Sequence, residues 1–315
     1  YDWDQKYTTD ANIQILVNSG RLTFAPASGD ALKAYIGGYS YQSYAGQKVN
    51  LNFGGAGVSV VNGPINLATP NVSSGSTSYT GPFYYGSLSK SGLGLLALNA
   101  SNQLGGQLSV NGGTLSYSSS KPFQGISSVY IDNAIVQSSA STDGQATSPG
   151  YIEIGPSGGT WNIDADINVV FAGVIKGSGS FTKAGLGNLA LSGSNSYTGS
   201  TIVSAGTLAV AGSLDDASAV NVAGGATYAL LASDTIGSLT GNGAVSLNGN
   251  TLTTGSDNSS TSYSGVLSGT GGLTKIGSGA FTLSGSNTYS GSTSVQAGVL
   301  AVSGSLSDSS AVSVG

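Results

Sequence analysis

A long stretch of sequence that occurs twice decides the fold of this chain. Residues 173–220 read GVIKGSGSFTKAGLGNLALSGSNSYTGSTIVSAGTLAVAGSLDDASAV, and residues 265–312 read GVLSGTGGLTKIGSGAFTLSGSNTYSGSTSVQAGVLAVSGSLSDSSAV. Over residues 173–223 and 265–315 the two copies align without a gap and are identical at 31 of 51 positions. The offset between them is 92 residues. Self-similarity at a fixed offset is typical of repeat architectures, in which each copy packs on its neighbours.

A weaker third copy lies upstream of these two. Residues 86–117 read GSLSKSGLGLLALNASNQLGGQLSVNGGTLSY, and they align without a gap to the stretch that begins 93 residues later, at Gly179. The aligned positions keep one lysine, several glycines and the alternating leucines. Three copies at nearly equal spacing indicate a tandem array.

The chain divides into two parts on this basis. Residues 1–85 do not match the repeat, whereas residues 86–315 contain the copies, which start near 86, 173 and 265. We expect the first part to be a cap on the array or a docking surface for another subunit, because an unpaired strand edge invites stacking. The chain has no Met, so we also expect Tyr1 to follow a removed segment or an excision from a longer polypeptide.

Within each copy, apolar residues alternate with polar or small residues in short runs. Leu189 and Leu191 form one such pair, and Leu208 and Val210 form another. A period of two is typical of β-strands that bury one face. Glycine-rich groups separate the runs, and glycine adopts the positive φ angles that tight turns need. Since no stripe with a 3.6-residue period is present, the sequence predicts an all-β chain.

A long unit repeated in tandem, with no linker between units, favours a solenoid over a sandwich or a barrel. Four coils per copy correspond to 92/4, or about 23 residues per coil. Crossovers between parallel strands prefer the right hand. The predicted fold is therefore an all-β, right-handed parallel β-helix (β-solenoid) with a divergent N-terminal segment.

The composition excludes several classes of function. His and Cys are absent, which excludes Ser-His-Asp catalysis, cysteine nucleophiles, disulfides and His/Cys metal sites. The net charge is −5 with only nine Lys and Arg, which argues against nucleic-acid binding. No apolar run reaches the roughly 18 residues of a membrane-spanning helix. We therefore expect no enzymatic activity and no catalytic, cofactor-binding or metal-binding residues.

Two stretches follow the pattern KxGxGxLxLSGxNxYxGxTxVxAGxLxV. The residues of the first are Lys183, Gly185, Gly187, Leu189, Leu191, Ser192, Gly193, Asn195, Tyr197, Gly199, Thr201, Val203, Ala205, Gly206, Leu208 and Val210. Those of the second are Lys275, Gly277, Gly279, Phe281, Leu283, Ser284, Gly285, Asn287, Tyr289, Gly291, Thr293, Val295, Ala297, Gly298, Leu300 and Val302. This pattern resembles the autotransporter-associated β-strand repeat, also called the passenger-associated transport repeat. In the copy from Gly86, Leu104 replaces the tyrosine and Gln107–Leu108 interrupt the Gly-x-Thr pattern.

The resemblance implies an exported bacterial surface protein with a β-helical passenger, usually in a Gram-negative envelope. In that family the repeat is a scaffold element linked to the secretion and folding of the passenger, and it is not a catalytic motif. We therefore expect the chain to be extracellular, at the bacterial cell surface.

Two pairs of acidic residues are the strongest candidates for a catalytic or metal-binding site. Asp164 and Asp166 are two residues apart, which predicts a shared strand face, and paired carboxylates catalyse glycosidic cleavage or hold Ca²⁺. The alternative is that both are solvated residues on the outer face of a strand. Asp215 and Asp216 lie in a Gly-Ser-Leu-Asp-Asp turn, and only the second returns, as Asp308. A solvated turn is the better interpretation of that second pair.

Two polar positions recur in the copies. Lys90, Lys183 and Lys275 are in register, and we interpret them as lysines at turn edges that discourage misaligned strand pairing. Asn195 and Asn287 also recur, and we favour a structural role for them over ligand contact, since stacked asparagines bond along solenoids.

Two classes of function remain. The first is a non-catalytic extracellular rod that serves as a stalk, an adhesin scaffold or a self-assembling fibre subunit. Its expected partners are copies of itself joined head to tail, or a host or matrix glycan or protein. The alternative is a polysaccharide-binding or polysaccharide-degrading β-helix protein. The chain has one Glu, Glu153, and one Arg, Arg21. It therefore has few of the charged residues that a polysaccharide-degrading enzyme would use in its active site.

Overall fold

The structure is a computed structural model, and it describes residues 20–24, 31–34, 49–53, 56, 58–61, 87–99, 106–119, 126–141 and 149–315. These residues form strands and turns, without any helix. Each strand pairs in parallel with the strand one turn away, which gives a β-solenoid. The prediction of an all-β parallel solenoid is confirmed. Among the described residues, no helix is long and apolar enough to span a membrane.

The strands are short and follow one another at regular intervals. The first group is β1 (Gly20–Phe24), β2 (Ala31–Ala34), β3 (Val49–Phe53), β4 (Val58–Val61), β5 (Leu88–Ser91), β6 (Leu95–Leu98), β7 (Gln107–Tyr117), β8 (Ser128–Ser138), β9 (Tyr151–Ile154), β10 (Gly159–Ile163), β11 (Asn168–Phe171) and β12 (Val174–Gly177). The second group is β13 (Phe181–Ala184), β14 (Asn188–Leu191), β15 (Ser196–Tyr197), β16 (Thr201–Val203), β17 (Thr207–Val210), β18 (Ala219–Val222), β19 (Thr227–Leu230), β20 (Asp234–Ile236) and β21 (Ser238–Gly241). The third group is β22 (Ala244–Asn248), β23 (Leu252–Thr254), β24 (Thr261–Tyr263), β25 (Val266–Gly269), β26 (Leu273–Lys275), β27 (Ala280–Leu283), β28 (Thr293–Val295), β29 (Val299–Val302) and β30 (Val312–Val314).

Three faces run along the stack. Face 1 contains β1, β3, β5, the first halves of β7 and β8, then β9, β12 and β15, and it resumes with β20, β23, β26, β28 and β30. Face 2 contains β2, β4, β6, the second halves of β7 and β8, then β10, β13, β16, β18, β21, β24, β27 and β29. Face 3 contains β11, β14, β17, β19, β22 and β25. Within the described range 149–315, face 1 has no strand in the turn between β15 and β20. There the segment at Ser213 lies on face 1 and forms an isolated parallel bridge with Ser194.

The core is a set of columns of apolar side chains that point inward. On face 3, one column consists of Leu189, Leu208, Tyr228, Val245 and Leu267, each paired in register with the next and each buried. Burial of apolar surface at about 25 cal/mol per Å² is the main stabilising contribution in such a core. The alternation of apolar residues in the sequence therefore predicted the inward positions correctly.

The described strands nearest the N-terminus belong to the same stack. The pairing of β3 with β5, and of β4 with β6, is parallel and in register with the strands of the first repeat copy. Whether residues 1–85 act as a cap or as a docking surface stays a prediction.

Several turns of the solenoid contain fewer residues than the roughly 23 per turn that the sequence analysis predicted. Asn188 bonds to Asn168, its partner in the preceding turn, which is 20 residues away. Asn221 bonds to Thr240, its partner in the following turn, which is 19 residues away. Turns of this length divide one copy into more than four turns. The prediction of four coils per copy is therefore wrong.

Successive copies consequently start on different faces. The first copy occupies β5 and β6, on faces 1 and 2, and the second occupies β13 and β14, on faces 2 and 3. The third occupies β26 and β27, on faces 1 and 2 again. Four complete turns lead from β13 to β24, both on face 2. The chain then passes through β25 on face 3 to β26 on face 1, which adds two-thirds of a turn. The second copy thus spans four and two-thirds turns before the third begins.

Candidate functional site

The lysine of the repeat is buried, and its ammonium group binds backbone carbonyls. Lys183 points inward from β13 and has no exposed surface. Its Nζ donates to the carbonyl of Ala184 at 2.9 Å, to that of Gly185 at 2.8 Å, and to that of Ala205 in the next turn at 3.1 Å. Burial lowers the pKa of Lys183 to about 8. We call this arrangement of one ammonium and three carbonyls the lysine nest.

The same nest forms in all three copies. Lys90 donates to the carbonyls of Ser91, Gly92 and Gly112 at 3.0, 2.8 and 3.2 Å. Lys275 donates to the carbonyls of Ile276, Gly277 and Ala297. Each lysine therefore contacts the residues one, two and 22 positions later. Burial lowers the pKa of both Lys90 and Lys275.

The interpretation of these lysines as turn-edge residues that discourage misaligned strand pairing is wrong, because their side chains are buried. The exposed fractions of Lys90, Lys183 and Lys275 are 2%, 0% and 1%. Each cation holds two successive turns together at a corner of the solenoid. They also do not form one line, because Lys183 lies on face 2 and the other two lie on face 1.

Glycine is required at the next-turn corner of the nest. Gly206 has a φ of 62°, and a Cβ there would collide with the carbonyl oxygen of Gly187. Gly113 and Gly298 have φ values of 66° and 68° at the equivalent corners. A side chain at these positions is excluded by backbone strain and by lack of space together. The motif lysine, the glycine two positions later and the glycine directly after the next-turn carbonyl are therefore one unit.

The recurring asparagines join three successive turns. Asn195 Oδ1 accepts a hydrogen bond from the N–H of Ile175 at 2.9 Å, and Nδ2 donates to the carbonyls of Gly193 and Ser213 at 3.0 and 2.9 Å. Asn287 makes the same three contacts with Leu267, Gly285 and Ser305. Both side chains are buried, so the structural interpretation fits. They do not form a ladder of stacked amides, since each amide bonds to backbone groups.

A buried hydroxyl chain completes the motif in the second and third copies. Tyr197 OH lies 2.6 Å from Thr201 Oγ1, which in turn lies 3.4 Å from Ser218 Oγ. Ser218 donates to the carbonyl of Gly199 at 2.8 Å. The third copy repeats the chain with Tyr289, Thr293 and Ser310. Each hydroxyl that burial removes from water thus has a protein partner.

The first copy replaces this chain with apolar residues. Leu108 stands where the later copies have the threonine, and it is buried. Leu104, in place of the tyrosine, lies outside the described residues. Replacing both partners of a buried hydrogen bond by apolar groups of similar size is nearly neutral. Leu108 has no hydroxyl, so its burial needs no hydrogen-bond partner of the kind that the threonine has in the later copies.

One buried carboxylate, Asp234, was not found by the sequence reasoning. It lies on face 1 with an exposed fraction of 5%. It accepts hydrogen bonds from Leu214 N–H, at 3.3 and 3.2 Å to its two oxygens, and from Tyr228 OH at 3.1 Å. Burial raises the pKa of Asp234 to about 6, although these hydrogen bonds act in the opposite direction. Leu214 precedes Asp234 by 20 residues, the same separation as that of Ile175 from Asn195.

Asp234 therefore lies outside the motif but makes the same contact with the preceding turn that Asn195 makes. We expect Asp234→Asn to raise the free energy of unfolding at pH 7 by about 2 kcal/mol, because the folded state no longer has to hold a charge that burial disfavours. The raised pKa means that the folded state gains stability as the pH falls from about 6 to about 4. The variant should lack this gain. Unfolding curves of both proteins at pH 4 to 7 measure the difference.

Asn195→Asp is the matched control for this prediction. It creates the buried carboxylate at an equivalent position and should lower stability at pH 7 while adding the same acid-dependent gain. If the two proteins in the Asp234→Asn comparison differ by the same amount at pH 4 and pH 7, burial of that charge is not the cause.

The predicted carboxylate pair is not on a strand. β10 ends at Ile163, and Asp164 and Asp166 lie in the turn that follows, where Asp166 has a φ of 64°. Asp164 accepts hydrogen bonds from Gln137 Nε2 at 3.0 Å and from Ser139 Oγ at 2.6 Å, whereas Asp166 is exposed. The expectation of a shared strand face is therefore wrong. Asp164 ties this turn to the preceding turn of the solenoid.

The second acidic pair also lies in a turn, as expected. Asp215 Oδ1 accepts the N–H of Ala217 at 3.0 Å, and its carbonyl accepts the N–H of Ser218 at 2.9 Å. Asp216 is exposed. Among the described residues no three His, Cys, Asp or Glu side chains come together as a set that would hold a metal.

A small charged patch lies on the outside of face 1. Lys176 Nζ is 3.7 Å from Glu153 Oε2 and 3.7 Å from the centre of the Tyr151 ring. Tyr130 and Glu153 are paired in register. The lysine and glutamate side chains are 42% and 39% exposed, so their attraction contributes little to stability.

Comparison with known families matches the repeat three times. The family model described as the passenger-associated-transport-repeat matches residues 88–116, 181–210 and 273–302. Each of these ranges contains one lysine nest in full. No curated protein and no solved structure matches the chain. The chain is therefore a β-solenoid protein that carries three passenger-associated transport repeats.

Proposed function

We propose that the chain is a non-catalytic structural stalk of a bacterial surface protein, displayed outside a Gram-negative cell. One observation carries the proposal. The polar side chains of the motif point inward and form hydrogen bonds with the backbone or with each other. Their hydrogen-bonding groups are therefore used within the solenoid and are not available to a substrate. Such a motif links successive turns of the solenoid through hydrogen bonds.

Repeats and solenoid together fit an autotransporter passenger domain. In a solenoid each turn contacts only its neighbours, so stability is close to a sum of turns and their interfaces. Nests, asparagine bridges and hydroxyl chains strengthen particular interfaces. We infer that these interfaces favour growth of the folded stack one turn at a time as the chain leaves the cell.

Surface display tests the proposal. The chain is placed ahead of the membrane domain of a Gram-negative autotransporter, and its exposure is measured with an external protease and an antibody. We expect the wild-type chain to reach the surface as a protease-resistant rod. Gly206→Val should reduce resistant surface material several-fold, because the side chain collides with the Gly187 carbonyl and strains the backbone.

Gly225→Val serves as the matched control. Gly225 also has a positive φ, 82°, but no atom lies within 4 Å of a Cβ there. This variant should be displayed at a clearly higher level than Gly206→Val. Equal display of Gly206→Val and the wild type would contradict the proposed role of the repeat.

Electron microscopy of the released protein distinguishes two arrangements of the stalk. Separate rods are the expected result for a stalk that acts alone. Regular filaments would instead indicate chains joined head to tail, as in a self-assembling fibre.

A further inference from the structure

A shallow groove follows the corner between faces 1 and 2, from the first repeat copy across the divergent turns to the start of the second. Its volume is about 420 Å³, and it is lined by corner residues of successive turns. Thr114, Ile135, Thr160 and Thr182 form its floor as one outward column, since each pairs in register with the next. Leu93 lies at its end. Five turns at about 4.8 Å per turn span about 19 Å between the first and the last.

The lining is amphiphilic and carries no charge. Leu93 is 82% exposed and Ile135 is 39% exposed, so both side chains present apolar surface to solvent in the groove. Threonine hydroxyls and the side chains of Asn133 and Ser157 lie beside them. Two aliphatic side chains, Leu93 and Ile135, among uncharged hydrogen-bonding groups suit a ligand that combines an apolar face with hydroxyls. A pyranose ring, with its C–H face and its ring of hydroxyls, is such a ligand.

Two other occupants fit less well. A peptide that adds as a strand needs free backbone N–H and C=O groups, but β8, β10 and β13 are paired on both sides. An acidic polymer needs cations, yet the residues that line the groove include no Lys or Arg. The nearby Lys90 is buried in its nest.

We propose that this groove binds a neutral, extended oligosaccharide of about four sugar units, one for each step between turns of about 4.8 Å. The aliphatic side chains contact the ring faces, and the hydroxyls of Thr114, Thr160 and Thr182 bond to the sugar hydroxyls. The centre of the site, at Ile135 and Thr160, lies outside the residues that the repeat family matches. This inference goes beyond the stalk function and holds or fails independently of it.

The first test is calorimetric titration of the purified full chain with neutral tetrasaccharides. The probes are β-1,4-linked tetramers of glucose, of mannose and of N-acetylglucosamine, with the matching monosaccharides and a tetramer of galacturonic acid for comparison. We expect saturable binding of at least one neutral tetramer at millimolar or lower concentration, with weak salt dependence. Binding of the monosaccharide and of the acidic tetramer should be at least about tenfold weaker.

The second test locates the ligand. Ile135→Lys fills the groove with a charged chain and should weaken binding roughly tenfold, because the outward position leaves the core intact. Leu231→Lys is the matched control, since Leu231 is also exposed, at 53%, but on another corner. Thr160→Val removes one hydroxyl at constant shape and should weaken binding several-fold, whereas Thr240→Val, in the same column outside the groove, should not.

Circular dichroism and melting temperature establish that each variant folds. Three results would overturn the proposal: no saturable binding of any neutral tetramer at millimolar concentration, tighter binding of the acidic tetramer, or equal losses in the groove variants and their controls.

Discussion

We expect Lys183→Met to lower the free energy of unfolding by about 2 to 3 kcal/mol and Lys176→Met to change it by less than about 1 kcal/mol. The substitution is the same, and the side chains differ only in surroundings. Lys183 is fully buried and supplies the donor for three carbonyls. Lys176 is 42% exposed beside Glu153.

Two opposing contributions set the size of this effect. Methionine leaves three carbonyls without a donor, and each unsatisfied buried acceptor costs about 1 to 3 kcal/mol. It also removes a charge whose burial is unfavourable, as the lowered pKa of Lys183 indicates. We expect water that enters the corner in the variant to compensate part of the loss. We therefore expect a net cost below the sum for three acceptors.

Urea unfolding of the wild type and the two variants measures the difference. A pulse of protease at intermediate urea should also cleave Lys183→Met first near the nest, between β13 and β17. If Lys183→Met and Lys176→Met have the same midpoint, the nest does not hold the turns together. Lys90→Met and Lys275→Met extend the test to the other copies.

We expect alkaline pH to unfold the protein cooperatively, with a midpoint at about pH 11. In the part of the chain that the structure describes, five tyrosines are fully or almost fully buried: Tyr117, Tyr197, Tyr228, Tyr263 and Tyr289. Burial raises the pKa of Tyr117 to about 12, and it also raises the pKa of the other four above the ordinary value of 10. These phenols ionise more easily in the unfolded chain than in the folded one.

The direction of the effect follows from proton binding. Between pH 10 and the raised pKa, the folded state keeps phenolic protons that the unfolded state has lost, so stability falls as the pH rises. Each such tyrosine removes about 1.4 kcal/mol for every pH unit in that window. Four or five of them together remove about 6 kcal/mol at pH 11, which is comparable to the total stability of many domains.

Ultraviolet absorbance of tyrosinate and far-ultraviolet circular dichroism should change together through this transition. Tyr117→Phe together with Tyr263→Phe should make the transition less steep, since two of the linked protons are gone. Ionisation of all 16 tyrosines near pH 10 with unchanged circular dichroism would contradict the prediction.

Much of the fold was predictable, because alternation of apolar residues fixes which side chains point inward. Leu189, Leu191, Leu208 and Val210 are all buried, and their strands are parallel neighbours on face 3. The glycine-rich breaks marked the corners. The repeat itself was also evident from the aligned copies, and the family comparison matches all three.

The length of a turn was not predictable from the repeat alone. The offset between copies does not require a whole number of turns, and only the strand register shows that Phe181 and Leu273 start on different faces. The lysines were misjudged because an ammonium is seldom buried. The glycine after the next-turn carbonyl was a usable signal, since Gly113, Gly206 and Gly298 follow their lysines at one constant spacing.

Asp234 and the turn at Asp164 are two features of the structure that the sequence did not predict. Asp234 is outside the motif, and its carboxylate accepts a hydrogen bond from the Leu214 N–H one turn earlier. Asp164 and Asp166 fit the two-residue alternation of a strand, but the chain turns after Ile163. Contacts between turns decide both cases, and a single sequence does not reveal them.

The fractional number of turns in one copy has a consequence for how such proteins change by duplication. Because the second copy advances the chain by four and two-thirds turns, gaining or losing a copy of that kind rotates everything beyond it by one-third of a revolution. Side chains that pointed towards a neighbour before the event then point elsewhere, although no residue has been substituted and no turn has been rebuilt. Three such copies restore the original direction. Copy number thus alters which surface a distal segment presents, independently of the length that it adds.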